Sequence, residues 1–153
     1  MEVFRLARKK YPIELSGKGA AMFGARWNFK GTEIIYTAQS RALAMAEVMV
    51  HLSLANLPKD FVMLTIDIPD TITMEVFDEK KFQKDWNVFP HSFSTQVIGD
   101  EFIKRNEFCV AKVPSVVVKG DFNFLINPDH KDFKLIKISC QTDFPFDKRI
   151  FGN

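Results

Sequence analysis

The sequence predicts an α+β protein, a set of short strands with two or three helices that do not follow strict strand–helix–strand alternation. Three observations point there. Runs of β-branched and aromatic residues recur at short intervals. One stretch, Arg41–Ala55, is rich in Ala, Leu and Met, with no Gly or Pro to interrupt it. After Phe108, strand-like runs follow one another with no helical pattern between them. A doubly wound parallel sheet does not fit that order. The 153 residues hold no repeat, linker or low-complexity segment, and they predict a single domain over 1–153.

Taken in order, Val3–Ala7 alternates and predicts a first strand, while Ser16–Gly24 (SGKGAAMFG) is a loop by composition. Glu33–Ala38 (EIIYTA) is β-branched and aromatic, hence a short strand. Ser40 is placed to cap a helix over Arg41–Ala55, since its hydroxyl can accept from a free N–H of the first turn. That helix is apolar nearly all round and should be buried on most faces. Phe61–Ile68 (FVMLTIDI) alternates toward its end and stops at Pro69. Asp78–Lys84 predicts a short helix and Thr95–Asn106 (TQVIGDEFIKRN) a longer, amphipathic one. Phe108–Val118 (FCVAKVPSVVV) is a strand interrupted at Pro114, which implies an edge or a bulge. Phe122–Ile126, Leu135–Ser139 and Phe146–Phe151 complete the set.

Composition narrows the function classes. Lys and Arg number 21 against 19 Asp and Glu, a net charge of +2, without the basic excess of a dedicated nucleic-acid binder. Hydrophobic residues at 46% and charged residues at 26% exclude a disordered tail, a collagen-like repeat and a disulfide scaffold. The 16 Phe are the anomaly, and most should be core. Cys109 and Cys140 are too few and too far apart for a framework or a zinc site, and are expected as reduced thiols. The start MEVFRLARKKYP lacks an apolar signal core, and Ala42–Leu54 is broken by Glu47 and His51 and is too short to span a membrane. A cytoplasmic protein is expected.

Several residues invite a chemical reading. Gly17, Gly19 and Gly24 lack the order of a dinucleotide or P-loop fingerprint, which leaves a flexible loop near a ligand. Glu47 and His51 lie four apart on the apolar helix and would share one face. Glu47 either faces solvent, pairs with an arginine, or sits in a low-dielectric pocket where its charge acts strongly on a developing cation. Arg26, in GARWN, either stacks on Trp27 or forks onto a phosphate or carboxylate. Tyr36 ends a short strand, from which it could pack in the core or line a cleft. Ser115 has no nucleophile elbow around it, which disfavours a serine hydrolase. His51, His91 and His130 lack metal-ligand spacing, so no metal is expected. Asn127-Pro128-Asp129 reads as a rigid turn.

Taken together, these pieces resemble the RES-domain toxins of bacterial toxin–antitoxin pairs, a family named for an arginine, a glutamate and a serine. The matching stretches are SGKGAAMFGARWN with Arg26, GTEIIYTAQSRALAMAEVMVHL with Tyr36, Glu47 and His51, KVPSVVV with Ser115, NFLINPDHKDF, and the closing FPFDKRIF. They run in family order from Phe4-Arg5 to Arg149. GARWN stands where a second glycine is usual, and Phe4 where tyrosine is frequent.

The resemblance implies an ADP-ribosyltransferase-like fold, with a split β core around an NAD cleft. It implies consumption of NAD as substrate by hydrolysis or phosphorolysis, or in one branch ADP-ribosylation of a protein. It also implies control by an antitoxin with an Xre-type helix-turn-helix that covers the active site. In this light Glu47, Arg26 and Tyr36 are the expected catalytic residues. Arg26, Tyr36, Ser115, His51 and Arg5 are the expected binding residues, His51 behind the contact groups and Arg5 as a second phosphate contact. A non-catalytic binding module would not need Glu47 within an apolar helix. An RNA-cleaving toxin would want paired histidines or a basic groove, and neither direct nucleic-acid contact nor a membrane partner is expected.

Overall fold

A computed structural model describes residues 1–52 and 58–151 of the chain. Among the described residues seven strands form one sheet: β1 (Glu2–Arg8), β2 (Ile35–Ala38), β3 (Phe61–Asp67), β4 (Met74–Val76), β5 (Val110–Pro114), β6 (Phe122–Ile126) and β7 (Lys137–Asp143). Their spatial order is β4-β5-β6-β2-β1-β3-β7, antiparallel throughout except for β4 beside β5. Three helices accompany the sheet: α1 (Lys18–Phe23), α2 (Arg41–Met49) and α3 (Phe93–Arg105).

The sheet is unevenly stitched. β1 and β3 pair along their whole length, from Glu2↔Asp67 to Arg8↔Phe61, and β2 pairs with β6 over all four residues. Between β1 and β2 there is a single registered pair, Phe4↔Ala38. The sheet is therefore two halves, β7-β3-β1 and β2-β6-β5-β4, that touch at one point and splay apart elsewhere. This is the split β core that the resemblance implied.

Packing follows that division. Val3, Ile35, Val62, Leu64, Ile66 and Ile126 form a continuous core on one face, where alternate residues of each strand meet. On the other face there are two clusters. Phe4 and Leu6 of β1 and Phe61 and Met63 of β3 pack under Leu43 and Ala44 of α2. Ala111 and Val113 of β5 and Leu125 of β6 pack under Phe102 of α3 and against Trp27, Phe77 and Trp86. α3 thus covers one half of the sheet, while α2 packs on β1 and β3 and reaches across the seam to Ala38 of β2.

Several local expectations change. Within Ser16–Gly24, Lys18–Phe23 is helical, although it has no side-chain cap and buries no residue. Gly24 ends it at φ 70°, a left-handed conformation that disfavours any side chain. Ser40 caps α2 as expected, accepting from Leu43 N at 3.1 Å, but the helix stops at Met49. Ser53–Ala55, the end of the expected helix, lie outside the described residues. Only Leu43 and Ala44 of α2 are fully buried, because one face packs on β1 and β3 while another borders open space. Asp78–Lys84 reduces to a 3₁₀ turn at Glu79–Lys81, and Lys148–Phe151 is a 3₁₀ turn rather than a strand. β4 is an added, three-residue strand. Pro114 closes β5 and interrupts nothing. Of the 16 Phe, Phe4, Phe61, Phe77, Phe102 and Phe124 are buried, while Phe23, Phe89 and Phe93 stand exposed.

α3 approaches the loop after α1 so closely that Gly99 has no room for a side chain. A Cβ there would lie 1.7 Å from the carbonyl oxygen of Trp27, which is backbone and cannot swing away. Gly99→Ala should therefore cost stability despite alanine's better helix propensity. Overpacking of this kind costs about 1–3 kcal/mol, and a lowered urea midpoint with an unchanged slope would report it.

Candidate active site

The seam opens into a cleft of about 900 Å³, within the size range of small-molecule sites. Phe4, Arg5 and Leu6 of β1 and Tyr36, Thr37 and Ala38 of β2 all line it. Successive strand residues point to opposite faces, so three in a row from each strand reach one cavity only where the sheet itself is parted. Glu47 and Val48 of α2, Phe23 of α1, residues 24–27 of the loop after it, and Asn87, Phe89 and His91 add to the walls.

Glu47 and Ser115 meet. Ser115 Oγ donates to Glu47 Oε1 at 2.9 Å and accepts from the N–H groups of Val117 and Val118, both at 3.1 Å. A hydroxyl has one donor and two acceptor positions, and all three are used. Ser115 is buried and does not line the cleft, so it holds Glu47 instead of offering a hydrogen bond to a ligand directly. Among the described residues Glu47 has no ion-pair partner, so its carboxylate is neither bound to an arginine nor loose.

Arg26 is not stacked on Trp27. The indole packs against Phe77, Phe82 and Trp86, while Arg26 lines the cleft and its Nη1 donates to the carbonyls of Trp86 at 2.7 Å and Val88 at 3.1 Å. Burial lowers the pKa of its guanidinium and the negative charge of Glu47 pushes it back up, so the two groups sense each other across the site. Arg5 is half-buried in β1, donates to Ser16 O at 3.2 Å, and also has its pKa lowered by burial. Neither Arg5 nor Arg26 has a carboxylate within ion-pair distance among the described residues. His51 falls past the C-terminus of α2, not on it, yet it still faces the same cleft as Glu47.

Tyr36 lines the cleft with its ring while its hydroxyl is locked behind it. The hydroxyl donates to Asn28 Oδ1 at 2.7 Å and accepts from Trp27 N at 3.0 Å. Asn28 is fully buried, and its amide nitrogen reaches the carbonyls of Ala20, Phe29 and Thr32 at 2.9, 2.9 and 3.0 Å. From α3, Gln96 donates to the carbonyls of Ala25 and Asn28, and Asp100 accepts from Phe29 N and Thr32 Oγ1. The loop carrying Arg26 is thus fastened from three sides, by Tyr36, Asn28 and α3. Sequence reasoning missed Asn28, Gln96, Asp100 and His91. The one signal was a glycine, Gly99, inside a helical pattern next to an acid, which points to close packing.

Among the described residues no group of three or more His, Cys, Asp or Glu comes together as a metal site, and no helix is long and apolar enough to cross a membrane. The model of the RES domain matches residues 2–147. The chain belongs to the RES-domain family. Similar full-length proteins are toxins. Toxin Res of Photorhabdus laumondii is 37% identical over 98% of this chain and 97% of its own, and Toxin Res of Yersinia enterocolitica is 33% identical over 98% and 99%. The Prs ADP-ribosylating toxin of Sphingobium sp. is 35% identical over 94% of this chain and 91% of its own. Among solved structures, a chain of the Mycobacterium tuberculosis MbcT-MbcA toxin-antitoxin complex matches this RES domain with a TM-score of 0.76, over 98% of this chain and 86% of that one. At 18% identity that match establishes the shared fold.

Burial, first of all, pushes the Tyr36 hydroxyl well above the ordinary tyrosine range, with the charge of Asp100 adding to it and the hydrogen bond from Trp27 N and the charge of Arg26 opposing. A pKa raised on folding gives stability that is present below the unfolded value of 10.0 and lost as pH rises past it. The thermal midpoint of this RES domain should therefore fall above that pH more steeply in the wild type than in Tyr36→Phe. Parallel slopes in the two proteins would contradict the locked hydroxyl.

Proposed function

We propose that this RES domain is the toxin of a bacterial toxin–antitoxin pair and consumes NAD by breaking the bond between nicotinamide and ribose. The observation that carries the reading is the charge pattern of the cleft. Two half-buried arginines, Arg5 and Arg26, line one cavity with no described carboxylate as ion-pair partner, and Glu47 is held in the same cavity by Ser115. Arginine suits phosphate oxygens through its planar donors, and a diphosphate supplies the anion that the pair lacks.

The chemistry asks little more. The C–N bond pair leaves with nicotinamide, which departs neutral from a cationic ring, so no general acid is needed. Positive charge grows on the ribose, and Glu47, accepting from a ribose hydroxyl, offsets it where it develops. Tyr36 offers a ring for the nicotinamide or ribose to stack on, while its locked hydroxyl fixes the ring's place. Ser115 keeps Glu47 aimed, and His51 stands at the edge of the site. The ADP-ribosyl group then passes to water or phosphate. Transfer to a cellular protein is the second reading, favoured by the likeness to the Sphingobium toxin named as ADP-ribosylating.

An unchecked NAD-consuming enzyme harms its own cell, and an antitoxin of the Xre helix-turn-helix type is the proposed partner, acting in the cytoplasm where NAD is found. The rim of the cleft supports a protein cover: Phe23, Val50 and Phe89 are 73%, 60% and 76% exposed around it. No nucleic-acid or membrane contact is proposed for this chain.

Purified protein incubated with NAD should release nicotinamide. Glu47→Gln should fold normally and lose about 10²–10³ of that rate, as for other preorganised electrostatic groups. Arg26→Lys should not restore function, because an ammonium cannot make the forked contact. Near-wild-type release by Glu47→Gln would end the role assigned to it. In cells, expression of the chain alone should arrest growth and drain NAD, and the cognate antitoxin should relieve both. Arrest with level NAD would make protein modification the leading reading.

A further inference from the structure

One residue of the cleft is left without a role. His91 follows the stretch whose carbonyls, Trp86 O and Val88 O, are gripped by Arg26, and it faces the cavity beside Asn87 and Phe89. Its ring meets that of Phe89 edge-on, with centroids 5.5 Å apart and planes at 85°. Its Nδ1 is shut off from solvent and has no hydrogen-bond partner, the one such buried side-chain nitrogen or oxygen among the described residues. Buried polar atoms are almost always paired, so an unpaired imidazole nitrogen on a residue that borders a binding cavity calls for a reason.

The surroundings say what kind of contact. The charged groups that reach His91 are Arg26, from the loop after α1, and His51, just beyond α2. Both are basic, and with burial they hold the imidazole below its ordinary pKa of 6.5, burial acting most. No described carboxylate forms an ion pair with any of the three. Three nitrogen-bearing side chains therefore converge on one part of the cleft with an excess of donors.

We propose that His91, together with Arg26 and His51, forms a subsite for one oxyanion of the phosphate class, and that His91 binds it as a donor. The anion supplies the counter-charge that the imidazole lacks and reverses the electrostatics. In the empty cleft two basic neighbours oppose a proton on His91; with an anion present the proton is favoured. Binding therefore takes up a proton, and affinity weakens as pH rises through the range in which the bound imidazole loses it. The oxyanion has two sources, the diphosphate of a dinucleotide or free inorganic phosphate arriving as acceptor. The subsite extends the NAD reading, but its occupation by an inorganic anion does not require turnover.

The test is an NMR titration of the histidine ring signals of the purified protein against pH, without ligand and with saturating inorganic phosphate or ADP-ribose. His91→Gln assigns the signal. The expected result is a His91 pKa below the ordinary value in free protein, raised by roughly one unit or more when an anion is bound. His91→Gln should weaken phosphate binding about tenfold and flatten its pH dependence. If ADP-ribose displaces phosphate, the subsite holds the dinucleotide's diphosphate; if phosphate still shifts His91 beside bound ADP-ribose, it holds the acceptor. A His91 signal indifferent to both ligands, or equal phosphate affinity in wild type and His91→Gln, overturns the proposal. Protein that shows the His91 shift yet releases no nicotinamide from NAD would contradict the proposed activity and leave the subsite standing.

Discussion

The site depends on one constraint, the contact of β1 and β2 at a single pair, Phe4↔Ala38. Had the two strands laddered along their length, Arg5 and Tyr36 would be ordinary residues of a closed sheet. Because they diverge, main-chain edges and both faces of the two strands are presented to one cavity, which a continuous sheet never allows. The cost of leaving strand edges unpaired is tolerable where polar groups of a ligand enter. The halves stay in place because α2 and its apolar cluster join β1 and β3 to Ala38 of β2, and because the opposite face is a shared core reaching from Val3 to Ile126.

The charges make sense on that frame. Glu47 reaches the seam from α2, and its aim is set by Ser115, the residue that follows β5. Arg26 reaches it from a loop clamped by α3, and in turn fixes the stretch from Trp86 to Val88. Anionic and cationic groups are thus held near each other without collapsing into an ion pair. The role proposed for Glu47 needs this separation, since a neutralised carboxylate could not offset charge on a substrate.

Much of this was legible in the sequence, and the limits are physical. Phe61–Ile68, which alternates toward its end and stops at a proline, and Phe122–Ile126 end where their strands end, within a residue. The Ser40 cap was legible because capping is a local hydrogen bond. α1 was not, since it has no cap and buries nothing; its glycines point to a loop, and it is held by Asn28 from outside. β4 was too short to show a period, and α2 reads as buried all round although an open cleft replaces one neighbour. Glu47, Arg26, Tyr36, Ser115, His51 and Arg5 came from family likeness joined to residue chemistry. The clamp of Gln96 and Asp100 joins residues 68 to 71 apart, and no spacing rule reaches that far. The orphaned nitrogen of His91 has no sequence signature at all.

The proposed dinucleotide, lying in the seam, would account for the parted sheet, for two arginines left unpaired with carboxylates, and for a Glu47 tethered by a serine. The measurement that tests this most directly is a crystal structure of Glu47→Gln, which should bind without turnover, in complex with NAD. The account predicts the diphosphate against Arg5 and Arg26, with the nicotinamide ribose beside position 47 and the nicotinamide or ribose stacked on the ring of Tyr36. A dinucleotide bound away from the seam, or one that leaves both arginines untouched, would contradict it.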